Sequence, residues 1–130
     1  LIEVYIDGAS TGNPGQAGAG IFIKENGKVD HFSFPLGEMT SHEAEFYALI
    51  KALEICSERG YAVVSFRTDS KIVEDTVEKR YAKREPYKSL MNKALPYIDN
   101  FDLFFIKWIP GKNNATADHL AKKAIQMNRK

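Results

Sequence analysis

The dipeptide Asn26-Gly27 stands between two β-rich runs, residues 19–24 and 28–35, and restricts the chain sharply. Both residue types tolerate positive φ, as a two-residue hairpin demands, so the flanking runs pair antiparallel. Upstream, residues 1–7 alternate: Ile2, Val4 and Ile6 on one side, Glu3, Tyr5 and Asp7 on the other. Three strands in succession form a meander, and residues 8–18, rich in Gly, Ser, Thr, Asn and Pro, read as a loop between the first two.

Downstream the period changes. A helical segment starts at Thr40 or Ser41 and ends at Gly60, a β-rich run covers residues 62–68, and Asp69-Ser70 opens a second helix. Residues 86–98 form a third helix, which should end near Pro96. A strand at 103–109 and a helix at 115–127 complete the order β-β-β-α-β-α-α-β-α. That order predicts one α/β domain over residues 1–130, a mixed five-stranded sheet flanked by helices. Strand connections across a helix are right-handed and parallel, so the first and fourth strands can be neighbours.

Length and composition exclude several classes. With 130 residues and 44% hydrophobic content the chain can bury a core without staples. No apolar run approaches the ~20 residues of a membrane span, so no membrane partner is expected. The single Cys56 excludes an intramolecular disulfide and suits a reducing, cytoplasmic location. The net charge of +1 conceals a segregation: residues 1–70 hold 5 basic and 10 acidic groups, residues 71–130 hold 13 and 7. Such a chain can present a basic face to a polyanion and an acidic spot to something else.

Four acids stand in telling places. Asp7 and Asp69 each end a predicted strand, and parallel neighbours would bring both to one carboxyl edge, where α/β sheets bind ligands. Glu45 shares its helix face with Ala48, Leu49, Ala52 and Cys56, all within about 60° around the axis, whereas Glu43 and Glu54 lie opposite. A carboxylate on an apolar stripe needs compensation, from a partner or from a metal shared with Asp7 and Asp69. Asp118 sits at the margin of the last helix's apolar stripe. Carboxylates without His or Cys suit a hard ion such as Mg²⁺ or Mn²⁺, and two such ions can drive phosphoryl displacement by water.

Asp7-Gly8-Ala9-Ser10 followed by Gly12-Asn13-Pro14-Gly15, Thr40-Ser41-His42-Glu43-Ala44-Glu45, Thr68-Asp69-Ser70 and Asn114-Ala115-Thr116-Ala117-Asp118, taken in order, resemble the motifs of type-1 ribonucleases H. The resemblance spans nearly the whole chain. It implies the ribonuclease H-like fold and hydrolysis of the RNA strand of an RNA–DNA hybrid, giving 5′-phosphate and 3′-hydroxyl ends. It further implies Asp7, Glu45, Asp69 and Asp118 as catalytic ligands of two Mg²⁺ or Mn²⁺ ions. Gly8, Ser10, Gly12, Asn13, Thr40, Ser41, Lys71 and Asn114 fall at or near its substrate contacts. No small-molecule cofactor and no partner beyond the hybrid are implied, and a monomer suffices.

The chain departs from the family in three places. The segment between the last strand and helix, residues 110–116, lacks the mobile His of the fully active bacterial members. Lys79, Arg80, Lys83 and Arg84 surround Tyr81 where many members have a Trp-containing basic protrusion; they are candidate hybrid contacts. His42 replaces a usual Asn, and the only tryptophan, Trp108, is expected in the core. The missing His and the short basic region keep a second reading open, a hybrid- or double-strand-binding module with weak or lost turnover; a third reading is a nuclease or strand-transfer enzyme of the same fold acting on DNA.

Overall fold

The computed structural model describes residues 1–128. Its elements are β1 (Ile2–Ser10), β2 (Gly15–Glu25), β3 (Lys28–Met39), α1 (Ser41–Glu58), β4 (Val63–Thr68), α2 (Lys71–Lys79), α3 (Tyr87–Asn100), β5 (Leu103–Trp108) and α4 (Ala115–Met127). The five strands form one sheet in the order β3-β2-β1-β4-β5. β1 pairs antiparallel with β2, which turns through Asn26 (φ 50°) and Gly27 (φ 82°) into β3. β1 pairs parallel with β4, and β4 with β5. This is the ribonuclease H-like arrangement expected from the element order.

Helices cover the two faces unequally. Val4, Ile6, Ile21, Ile23, Val64 and Phe66 point to one face and are at most 1% exposed. There they meet the buried stripe of α1, with Leu49, Leu53 and Cys56, and the helices α2 and α3. α4 packs across β1, β2 and β3 on the opposite face. Thr40 starts α1 with a capping box: its Oγ1 accepts from Glu43 N at 3.2 Å, and Glu43 Oε1 accepts from Thr40 N at 3.1 Å. Ser70 caps α2 by accepting from Val73 N at 3.2 Å.

Three expectations are corrected. Most of residues 8–18 is strand, because β1 runs to Ser10 and β2 begins at Gly15. Its glycines admit helices: a methyl on Gly8 would overlap the Ala44–Glu45 backbone of α1, and one on Gly18 or Gly20 would overlap the α4 backbone. β3 continues through Pro35, which an edge strand tolerates since no outer neighbour needs its N–H. Helix α3 runs past Pro96, whose ring lies on the exposed side, where water can satisfy the freed carbonyl.

Candidate active site

Parallel pairing of β1 with β4 ends at Ile6↔Thr68, so Asp7 and Asp69 are the next residues on adjacent strands. Asp7 lies within β1, still paired with Gly20, rather than at the strand's end as expected. Glu45 enters from the first turns of α1, which Gly8 allows to press against β1. One carboxylate oxygen from each of Asp7, Glu45 and Asp69 lies within 4.8 Å of the others. Asp118, on α4, comes near enough to Asp7 to help raise its carboxyl, while its Oδ2 accepts from Lys122 Nζ at 2.9 Å, one turn along the helix. The tight group is therefore three acids, with Asp118 at its margin.

The electrostatics show what the cluster lacks. Burial, then the charge of Asp69 and the approach of Asp118, push the Asp7 carboxyl up to about 9. Burial also raises Glu45, although the imidazole of His42, with Nδ1 3.2 Å from Glu45 Oε1, opposes the rise. The Glu45 side chain remains 18% exposed, so it borders the core rather than lying within it. Among the described residues, the imidazole of His42 is the one basic side chain within ion-pair distance of these three carboxylates. Carboxylates gathered without cations, in an all-oxygen set, fit a hard divalent metal.

Other residues hold this cluster in place. Asn114 is 1% exposed, and its Nδ2 donates to the Ile6 carbonyl at 2.9 Å, tying the start of α4 to the strand beside Asp7. Trp108 is 38% exposed, against the core position expected for it. It ends the edge strand β5, and its Nε1 donates to the Asp69 carbonyl at 3.0 Å. Lys71 Nζ stands 4.6 Å from the centre of its ring. The indole thereby fixes the peptide of Asp69. The reading from sequence missed this role, although the parallel register after Thr68 places Trp108 next to Asp69.

The remaining candidates lie around the cluster in different ways. Ser10 Oγ sits 2.7 Å from the Gly12 carbonyl and 2.9 Å from that of Met39, bracing the exposed turn that contains Gly12 and Asn13. Thr40 is occupied as a cap, whereas Ser41 is exposed beside it. Lys79 and Arg80 stand at the far end of α2, roughly 13 Å from its start at ~1.5 Å per residue. Both are engaged, Lys79 with Asp75 and Arg80 with Asp99, while Lys83 and Arg84 follow in the exposed connection to α3.

This sheet, with three carboxylates at the carboxyl edge of its central parallel pair, defines a protein of the ribonuclease H-like class. The pattern of the family described as "Reverse transcriptase-like" matches residues 5–124. The chain belongs to that family, in its type-1 ribonuclease H branch. It is 40% identical over 128 residues to a protein of Enterococcus faecalis described as "Putative hydrolase EbsB", covering 97% of this chain and 95% of that one. It is 32% identical over 127 residues to Ribonuclease HI of Halobacterium salinarum, covering 95% of this chain and 64% of the relative. Among solved structures, the Halobacterium salinarum RNase H1 superimposes with a TM-score of 0.89 at 31% identity, over 96% of this chain and 97% of its own. LC11-RNase H1, solved in complex with an RNA/DNA hybrid, gives 0.90 at 31% identity and covers 100% of both chains.

Trp108 offers a direct readout, since it is the only tryptophan. Titration with Mn²⁺ is expected to change its emission saturably, and Asp69→Asn to abolish that response. Trp108→Phe, which keeps a ring but loses the donor, is expected to weaken Mn²⁺ binding about tenfold, typical for a group that orients a ligand. Isothermal titration checks this; unchanged affinity contradicts the role.

Proposed function

We propose that this protein is a metal-dependent endonuclease that hydrolyses the RNA strand of RNA–DNA hybrids, giving 5′-phosphate and 3′-hydroxyl ends. The observation behind this reading is the convergence of Asp7, Glu45 and Asp69 within 4.8 Å, with little cationic compensation. It is supported by the kinship with LC11-RNase H1, a protein crystallised with such a hybrid. Asp7, Glu45, Asp69 and Asp118 would hold two Mg²⁺ or Mn²⁺ ions. Ions bound there supply charge stabilisation for the scissile phosphate and lower the pKa of an attacking water.

The chain's own residues do the positioning. Asp7 must release its proton to become a ligand, so metal binding is coupled to deprotonation at that carboxyl. Trp108 and Asn114 anchor the Asp69 carbonyl and the β1 backbone, limiting movement of two ligand-bearing segments. The turn at Gly12–Asn13 and Ser41 are exposed, and in this reading they face the substrate. There backbone and hydroxyl groups can meet 2′-hydroxyls, which mark RNA. Residues 110–116 contain no His, and Lys122 holds Asp118 from the solvent side. Proton transfer to the leaving 3′-oxygen therefore falls to water in this reading. We place the activity in a monomeric domain of the cytoplasm, a compartment that keeps the buried thiol of Cys56 reduced.

The test is cleavage of labelled hybrid, double-stranded RNA and double-stranded DNA at fixed Mg²⁺ or Mn²⁺. Product from the hybrid alone is expected, and its loss with chelator. Tight hybrid binding with no product at saturating Mn²⁺ would instead favour a binding module, and cleavage of the all-DNA duplex a DNA nuclease.

A further inference from the structure

Among the described residues, one half of the sheet's α4 side has no helix over it. α4 lies over the upper part of β1, β2 and β3, and over β4 and β5 the face is bare, with Leu103 53% and Phe105 51% exposed. Across this open half, one register row crosses all five strands: His31, Phe22, Tyr5, Arg67 and Lys107. Alternation along each strand turns all five side chains to the same side. The Phe22 ring lies 5.0 Å from that of His31 and 5.7 Å from that of Tyr5. Arg67 extends the row, its guanidinium 5.5 Å from the Tyr5 ring centre and its Nη1 3.0 Å from Glu3. A continuous ridge of mutually tilted π-systems results, running from β3 to β4.

The ridge is bordered by cations. Lys24 and Lys112 line a 240 Å³ recess that Tyr5 and Phe22 share with Thr116, and Lys107 ends the row. Among the described residues, no carboxylate pairs with Lys24, Lys107 or Lys112. Glu3, the acid on this half of the face, is held by Arg67.

We infer that this uncovered aromatic and cationic sheet face is a platform for single-stranded nucleic acid. A second copy of this chain, docked by two-fold symmetry, would set like charges against one another. An apolar protein partner would strip water from three lysines and offer no acids in return. A single strand supplies both complements, phosphates for the lysines and unstacked bases for the rings. A duplex keeps its bases stacked on each other and cannot use the ridge. Tyr5 lies two residues before Asp7 on the same face of β1, about 7 Å away at ~3.4 Å per residue. An unpaired extension of a hybrid held at the carboxylates therefore reaches the ridge. That source for the strand rests on the proposed hydrolase reading; the chemistry of the ridge does not.

The experiment measures fluorescence anisotropy of labelled single-stranded DNA, single-stranded RNA and blunt hybrid with the full chain bearing Asp69→Asn, which prevents cleavage. Comparable binding of both single strands is expected. Adding Lys24→Glu with Lys107→Glu should weaken it at least tenfold and flatten its salt dependence by about 1.4, at ~0.7 per lost phosphate contact. Phe22→Leu, which keeps bulk without a ring, should weaken it severalfold at an unchanged salt slope, with thermal melting confirming the fold. Neither change, made without Asp69→Asn, should alter cleavage of blunt hybrid. No affinity of the Asp69→Asn chain for single strands, or equal affinity after the lysine changes, overturns the platform. Self-association that the lysine changes abolish, seen by sedimentation, also overturns it. Cleavage of hybrid without single-strand binding defeats the platform alone. Single-strand binding without cleavage by the wild-type chain defeats the hydrolase reading alone.

Discussion

Replacing Asp69 with Asn is expected to lower hybrid cleavage about a thousandfold or more, while raising the melting temperature of the metal-free chain. The two effects share one cause. Asp69 crowds Asp7 with negative charge, and its charge is among the forces that raise the Asp7 carboxyl to about 9. Asn keeps the shape and removes that repulsion. In the proposed reaction the same charge would hold a metal ion, and Lewis-acid stabilisation of a phosphoryl oxygen is worth several kcal/mol. About 4 kcal/mol corresponds to a thousandfold in rate. Cleavage assays beside calorimetric melting in chelator measure both; retained activity or a lowered melting temperature contradicts the account.

The pH dependence follows with a definite sign. Asp7 holds its proton more tightly folded than unfolded, since its folded value of about 9 exceeds the ordinary 3.8. Its contribution to stability is full below about 4 and is lost progressively as pH rises toward 9. Metal-free melting temperature should therefore fall across that window, with a shallower fall in Asp7→Asn. Mn²⁺ affinity should rise over the same window, because binding displaces the proton.

Gly20→Ala is expected to destabilise the chain by about 3 kcal/mol, at the upper end of ordinary overpacking costs. A methyl at this position overlaps the Ala117 carbonyl oxygen and the Ala121 nitrogen, both backbone atoms of α4 that cannot rotate away. The helix must lift from β2, and Asp118 moves with it. A melting temperature lower by roughly 10 °C should accompany a fall in cleavage rate, with Mn²⁺ binding by Asp7, Glu45 and Asp69 largely retained. Full stability in Gly20→Ala would mean that α4 does not pack as closely as described.

The same glycines explain which parts of the fold were legible in the sequence. The hairpin at Asn26-Gly27, the helix at 115–127 and the order of elements follow from turn chemistry and periodicity, which are local. Gly18 falls in the loop expected over residues 8–18, yet it sits in β2 because α4 requires a side-chain-free position there. That requirement is tertiary and leaves no periodic trace. Glu45 was readable as an acid on an apolar stripe. Trp108 was misread as core because a large aromatic in a strand usually is buried; its place at the end of an edge strand, over the Asp69 carbonyl, depends on sheet order. Asn114 was legible as part of a motif, whereas its burial against Ile6 was not, since the bond spans 108 positions of sequence.

That long-range bond bears on the order in which the molecule becomes competent during synthesis. Asp7, Glu45 and Asp69 leave the ribosome well before α4, and the strands that hold them pair within residues 2–108. Asn114 and Asp118 follow, and at ~5–20 residues per second the helix from 115 to 127 needs roughly a second or two to be made. A nascent chain can thus present three acids while α4, with the fourth, has yet to dock. With Asp118 as the proposed fourth ligand, the set of acids is complete only once this helix has docked on the sheet.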